Sequence, residues 1–98
     1  MKYQILVLNR AVEEIQQAVD YYEEKKKGIS LKFEKELDNK FKVLESNPKF
    51  KVAYKNIRCM PLKKFPFLIH FRVNDSNQTV TIEAIFNTNR NPEAKPNI

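Results

Sequence analysis

The residues best suited to chemistry are five cations in the second half of the chain. Arg58 ends one predicted strand, and Lys63 and Lys64 occupy the connection after it. Arg72 lies on the polar face of the next predicted strand, and Arg90 follows the last one. Brought together, such cations could hold nucleic-acid phosphates, stabilise charge on a phosphorus centre or receive an acidic peptide. Spacing alone favours a plainer interpretation, in which the lysines are turn residues and Arg72 faces solvent.

Other catalytic arrangements are missing or weak in this sequence. One glycine excludes a Gly-rich phosphate loop, and the lone His70 and Cys59 make no cluster of zinc-ligand spacing. His70 could act as an acid or base, but its place in an apolar strand favours packing. Cys59 is interpreted as a small buried residue, and the carboxylates of the first helix as solvated. We therefore expect no metal and no cofactor.

The charge of the chain is uneven along its length. The net charge is +6, with 10 Lys+Arg against 9 Asp+Glu in residues 1–49 and 8 against 3 in residues 50–98. Such an excess suggests an anionic partner, either nucleic acid or an acidic protein, although many small basic proteins bind neither. No run reaches the roughly 18 apolar residues of a membrane span. We expect one cytoplasmic domain, residues 1–98.

The first half of the chain predicts a strand and two helices. Residues 2–8 alternate as a strand does, and Asn9 is interpreted as the N-cap of a helix with one apolar stripe. Gly28, the only glycine, is interpreted as the left-handed residue that ends this helix. Ser30 is expected to cap a second helix, which Pro48 closes. A short connection makes the two helices a hairpin.

In the second half of the chain, apolar residues recur at every second position. Residues 52–58, 67–73 and 79–86 each predict a strand, with a tight turn at Asp75 to Asn77. The predicted order is β-α-α-β-β-β. It indicates an α+β fold of two layers, in which the helical hairpin packs on one face of a small, mainly antiparallel sheet. The opposite face could remain exposed and collect the basic residues.

Several segments resemble a known family when they are taken in order. They are AVDYYEEKKKGISLKF, ESNP, the strand that ends at Arg58, KKFPFLIHF and AIFNTNRNP. Together they resemble the RelE/ParE superfamily of toxins from bacterial type II toxin-antitoxin modules, some of them labelled plasmid stabilisation proteins. The resemblance implies the same β-α-α-β-β-β fold, a small acidic antitoxin as partner and a hetero-oligomer with it.

This superfamily divides by target. RelE-like members cut messenger RNA at the ribosome without a metal, whereas ParE-like members poison DNA gyrase and need no nuclease site. RelE-type nucleases resemble one another in an arginine directly after the aromatic residue of the central strand and a tyrosine near the C-terminus. Here Leu68 follows Phe67, and the last tyrosine is Tyr54. The run FPF resembles the ParE branch, although Asn87 stands where many ParE relatives have histidine.

Three functions follow from the resemblance. The preferred one is a ParE-like toxin that binds gyrase through its cations. The alternative is a ribosome-dependent endoribonuclease, in which candidate catalytic groups stabilise the scissile phosphate. The third is an inactive chain that only binds its antitoxin. The candidate target-binding residues are Lys55, Arg58, Lys63, Lys64, Arg72 and Arg90, and the candidate nuclease residues are Arg58, Lys63, Lys64 and Arg90, with Lys55 as a possible substitute.

Overall fold

The fold is seen in a computed structural model, which describes residues 2–49, 52–54 and 56–88. The elements are β1 (Gln4–Val7), α1 (Asn9–Lys25), α2 (Ile29–Ser46), β2 (Val52–Tyr54), β3 (Ile57–Pro61), β4 (Phe67–Asn74) and β5 (Thr79–Asn87). Neither described helix combines the length and the apolar composition that crossing a membrane requires.

The strands form one sheet in the order β1-β5-β4-β3-β2. β1 lies parallel to β5, and the other neighbouring strands are antiparallel. α1 and α2 are joined by three residues, 26–28, and pack on one face of the sheet. The predicted α+β fold with a helical hairpin on a mainly antiparallel sheet is therefore confirmed.

The core lies between the helical hairpin and one face of the sheet. Its fully buried members include Phe33 and Leu44 of α2 and Phe71 and Ile82 of the central strands. Removing such side chains from water contributes about 1.5–3 kcal/mol each. The apolar stripe predicted for the helices thus packs against the apolar residues that alternate along the predicted strands.

The helix boundaries correct three predictions. α1 begins at Asn9, so Leu8 is the N-cap and no side chain caps the helix. Gly28 is left-handed as expected, with φ of 92°, but it precedes α2 directly instead of ending α1, which stops at Lys25. Ser30 is buried within α2, and its hydroxyl donates to Glu23 of α1. Ser30 therefore joins the two helices and does not cap the second.

The predicted strand 52–58 is two strands. Tyr54 of β2 pairs with Ile57 of β3, so the chain reverses between these two strands. Asn56 makes this reversal possible with φ of 68°, in a region that asparagine tolerates better than most residues. The alternating pattern continues through this reversal with neither glycine nor proline to interrupt it, so Asn56 was the one turn signal in the sequence.

A bulge shifts the pairing of the two central strands. His70 pairs with Ala84 and Phe71 with Ile82, so Glu83 is the extra residue of β5. Because of this shift, Ile85 opposes Ile69, and both Ile82 and Ile85 lie in the core. The bulge also leaves Glu83 beside Arg72, on the face away from the helices.

Candidate functional site

The predicted cations separate into two groups along the hairpin of β3 and β4. Lys55 and Arg90 lie outside the described residues. Arg58 pairs with Phe71 near the far end of this hairpin, whereas Lys63 and Lys64 lie in its connecting turn. At about 3.3 Å per residue, the five residues from Arg58 to Lys63 span roughly 15 Å. The described cations therefore do not converge on one point.

We call the first group the arginine end. Here Arg58 and Arg72 line a cleft of about 250 Å³ together with Asn56 and Val73. The Nε of Arg72 lies 3.1 Å from Oε2 of Glu83, whose position beside it follows from the bulge. A cleft with two guanidinium groups can bind a carboxylate or a phosphate through paired hydrogen bonds.

Asp75 brings further charge to the arginine end. Its Oδ2 lies 2.6 Å from Nζ of Lys49, and its Oδ1 accepts a hydrogen bond of 2.7 Å from the Tyr3 hydroxyl. The hydrogen bonds from Lys49 and then Tyr3, with smaller help from the charges of Lys49 and Arg58, lower the pKa of Asp75. The same contact with Asp75 raises the pKa of Tyr3. Asp75 thus ties the β4–β5 turn to the residue before β1 and to the segment after α2.

We call residues 62–66 the lysine turn. The carboxylate of Glu36 on α2 accepts hydrogen bonds from the main-chain N–H of Lys63 at 2.5 Å and of Lys64 at 3.2 Å. Leu62 and Phe67 close the turn through a main-chain bond of 3.0 Å. Glu36 thus fixes the backbone of the turn, while the lysine side chains remain exposed.

An aromatic cluster lies beneath the lysine turn. Tyr22 is at its centre, with ring centroids 5.1 Å from Phe65 and 5.6 Å from Phe33. Phe33 also lies 5.3 Å from Phe65 and 5.2 Å from Phe67. Most of these rings meet edge to face or tilted, which suits their quadrupoles. Phe67 therefore lies in the core and Phe65 packs against it, with the two lysines directly before them in the chain.

His70 and Cys59 oppose each other on the face away from the helices. His70 is buried and stacks on Phe86 with centroids 5.8 Å apart. Burial, and then the charge of Arg10, lower the pKa of His70, so its neutral form is favoured. Burial raises the pKa of the Cys59 thiol, which opposes formation of the nucleophilic thiolate. His70 is thus buried, as its place in an apolar strand suggested, whereas Cys59 is only half-buried.

Two carboxylates have positions that the sequence did not reveal. Glu36 binds the lysine turn, and Glu14 of α1 accepts a hydrogen bond of 2.8 Å from the main-chain N–H of Ile85. Glu14 was expected to be solvated. Its role arises because β1 pairs with β5 only as far as Ile82, which leaves the edge of β5 beyond it open to α1. No signal in the sequence indicated this, because the predicted strands 2–8 and 79–86 are nearly equal in length.

Among the described residues, no three His, Cys, Asp or Glu side chains lie close enough together to hold a metal ion.

Comparison with known proteins gives more information about the function. The family described as "ParE toxin of type II toxin-antitoxin system, parDE" matches residues 5–92. A solved structure, "Chromosomal ParDE TA system from P. aeruginosa", is similar with a TM-score of 0.69 and 20% identity, over 87% of this chain and 95% of that one. No curated protein matches this sequence.

Proposed function

Because the chain belongs to the ParE toxin family, we propose that it is a growth-inhibiting toxin that acts by binding DNA gyrase and is neutralised by an acidic antitoxin. It binds its target through its cationic surfaces, in the cytoplasm, and forms a hetero-oligomer with the antitoxin.

The separation of the cations carries this proposal. A nuclease concentrates its charge-stabilising groups where negative charge develops on one phosphate. Here the described cations lie at two ends of a hairpin, roughly 15 Å apart at the usual strand rise. Two separate basic surfaces suit contact with a large protein, whose interface spans some 800 Å² on each partner.

The positions of the titratable groups also support binding. A general acid or base must reach the proton that it transfers. His70 is buried against Phe86, on the face away from the helices. Leu68 occupies the position where the RelE-type pattern has an arginine. No observation among the described residues favours RNA cleavage over target binding.

Two assays test this proposal, one with purified gyrase and one in whole cells. We expect the purified chain to inhibit supercoiling or trap cleaved DNA, and the double variant Arg58→Ala/Arg72→Ala to need roughly tenfold more protein. Lys42→Ala, an exposed lysine on α2, is the matched control and should behave as the unmodified chain.

In cells that express the chain alone, incorporation of labelled thymidine should fall before that of labelled methionine. If methionine incorporation falls before thymidine incorporation, the target is the ribosome and not gyrase. Normal growth with soluble, folded chain, together with normal supercoiling at every concentration, would leave an inactive binder of antitoxin.

A further inference from the structure

A cleft of about 550 Å³ opens where the α1–α2 connection meets the lysine turn. We call it the aromatic cleft. It is lined by Tyr21, Tyr22, Ile29, Lys64, Phe65, Pro66 and Asn87. Its volume is large enough for one or two bulky side chains of a partner, and it is a different place from the arginine end.

The floor of the aromatic cleft is the surface of the buried aromatic cluster. Tyr22 and Phe65 are half-buried members of that cluster, and their centroids lie 5.1 Å apart. Tyr21 continues the floor outward, 5.3 Å from Tyr22 and 45% exposed. Because the cluster is held by the core, this floor exists before any partner arrives, which lowers the entropic cost of docking.

Three lysines lie at or near this floor. Nζ of Lys25 lies 5.2 Å from the centroid of the Tyr21 ring. Lys64 lines the cleft, and Lys63 precedes it in the turn that Glu36 holds. Glu36 binds their main-chain N–H groups, and within the described ranges no ion pair involves any of these three lysines. Their charges are therefore available to an anionic partner.

We propose that the aromatic cleft docks an acidic segment of the antitoxin. An aromatic or large aliphatic side chain of that segment enters the floor, and flanking carboxylates meet Lys25, Lys63 and Lys64. This inference rests on the proposed function, because it names the place where the neutralising partner binds.

The geometry favours a peptide over a nucleic acid. Single-stranded nucleic acids bind by stacking bases on free ring faces along a continuous basic groove. Tyr21 and Tyr22 meet edge to face, and the Lys25 ammonium lies over the Tyr21 ring. Separate lysines around an apolar floor match separate carboxylates around an apolar side chain.

The test measures binding of the antitoxin to variants of the full chain. The probe is a protein whose co-expression restores growth to cells that express the chain, purified with the chain, separated from it and refolded. We expect Lys25→Glu/Lys64→Glu to weaken binding roughly 30-fold or more at low salt and to flatten its salt dependence. Tyr21→Ala, at an exposed position, should weaken it about tenfold. Lys42→Glu carries one of the same charge reversals, at the other end of α2, and should stay within twofold.

Each outcome has one meaning, provided circular dichroism shows the variants to be folded. If the probe does not bind the unmodified chain, the antitoxin part of the proposed function fails. If it binds the unmodified chain and Lys25→Glu/Lys64→Glu equally well, the cleft is not the docking site, while the proposed function stands. If labelled oligouridylate binds and is lost in the double variant, while antitoxin binding is unchanged, the cleft is a nucleic-acid surface.

Discussion

The two ends of the β3–β4 hairpin are both basic, but they differ in how far nearby carboxylates neutralise their cations. At the arginine end, Arg72 pairs with Glu83 and Lys49 pairs with Asp75. At the lysine turn, the nearby carboxylate of Glu36 binds the main chain instead. One end therefore has much of its charge neutralised within the chain, whereas the other keeps its ammonium groups for solvent or a partner.

This difference shows that a count of cations does not measure the charge that a partner meets. The second half of the chain carries 8 Lys+Arg against 3 Asp+Glu, yet two of those three acids, Asp75 and Glu83, lie at the arginine end. Surface ion pairs add little to stability, typically less than about 1 kcal/mol. Their larger effect here is to direct the unneutralised charge toward the lysine turn and the aromatic cleft.

The largest expected effect comes from removing the aromatic support of the lysine turn. Phe33→Ala deletes a ring with no exposed surface that contacts Tyr22, Phe65 and Phe67. We expect the free energy of unfolding to fall by about 3–5 kcal/mol, measured by urea denaturation. The aromatic cleft should lose its shape as well, so the near-ultraviolet circular dichroism of the aromatic residues should weaken.

A matched control for this prediction lies on the same helix. Leu31 is 67% exposed, and Leu31→Ala should change the free energy of unfolding by no more than about 0.5 kcal/mol. A loss below about 1 kcal/mol for Phe33→Ala would mean that the cluster does not hold this end of the hairpin.

A smaller loss of stability is expected from substitution of Glu36, whose carboxylate binds the main chain of the lysine turn. Glu36→Ala removes the acceptor of the Lys63 and Lys64 N–H groups and should cost about 1 kcal/mol, because water can replace part of the lost bonding. Hydrogen exchange at these two amides should become faster, with the amides of β5 unchanged. Glu36→Gln retains one acceptor oxygen and should recover part of the protection; equal exchange in all three proteins would contradict the assigned role.

The sequence predicted more of the fold than of the site. Periodicity identified both helices, the strands of the sheet and their layers, because a buried face repeats along an element. It missed the reversal at Asn56, where neither glycine nor proline appears, and the bulge at Glu83, which changes strand pairing without changing the local pattern. Such features are decided by contacts between distant segments.

The site was less predictable for the same reason. Arg58, Lys63, Lys64 and Arg72 were candidates because of their charge, but their separation depends on strand register. Glu14 was interpreted as a solvated helix residue and Glu36 was not a candidate, yet each accepts hydrogen bonds from the main chain of a segment far away in sequence. A helix pattern shows which residues face outward, and it does not show which strand edge or turn lies opposite them.

The smallest expected effect is at Asp75 of the arginine end, and it depends on pH. The folded state lowers the pKa of Asp75 below its ordinary value of 3.8, chiefly through the hydrogen bonds from Lys49 and Tyr3. The unfolded chain therefore binds this proton more readily, so the contribution of Asp75 to stability is complete well above pH 3.8 and is lost as pH falls through the folded pKa. Asp75→Asn should be slightly less stable than the unmodified chain at pH 7, because it retains an acceptor but no charge.

Urea midpoints of the two proteins at pH 7, 5 and 3 measure this difference. The gap between them should be the same at pH 7 and 5 and should shrink at pH 3, since the unmodified chain then begins to lose the ionised carboxylate as well. Asp38→Asn, at an exposed position on α2, controls for the general loss of a negative charge from a basic protein. A gap that is absent at pH 7, or that widens in acid, would mean that the charge of Asp75 is not neutralised by its neighbours. The contrast between the two ends of the hairpin would then rest on Arg72 and Glu83 alone.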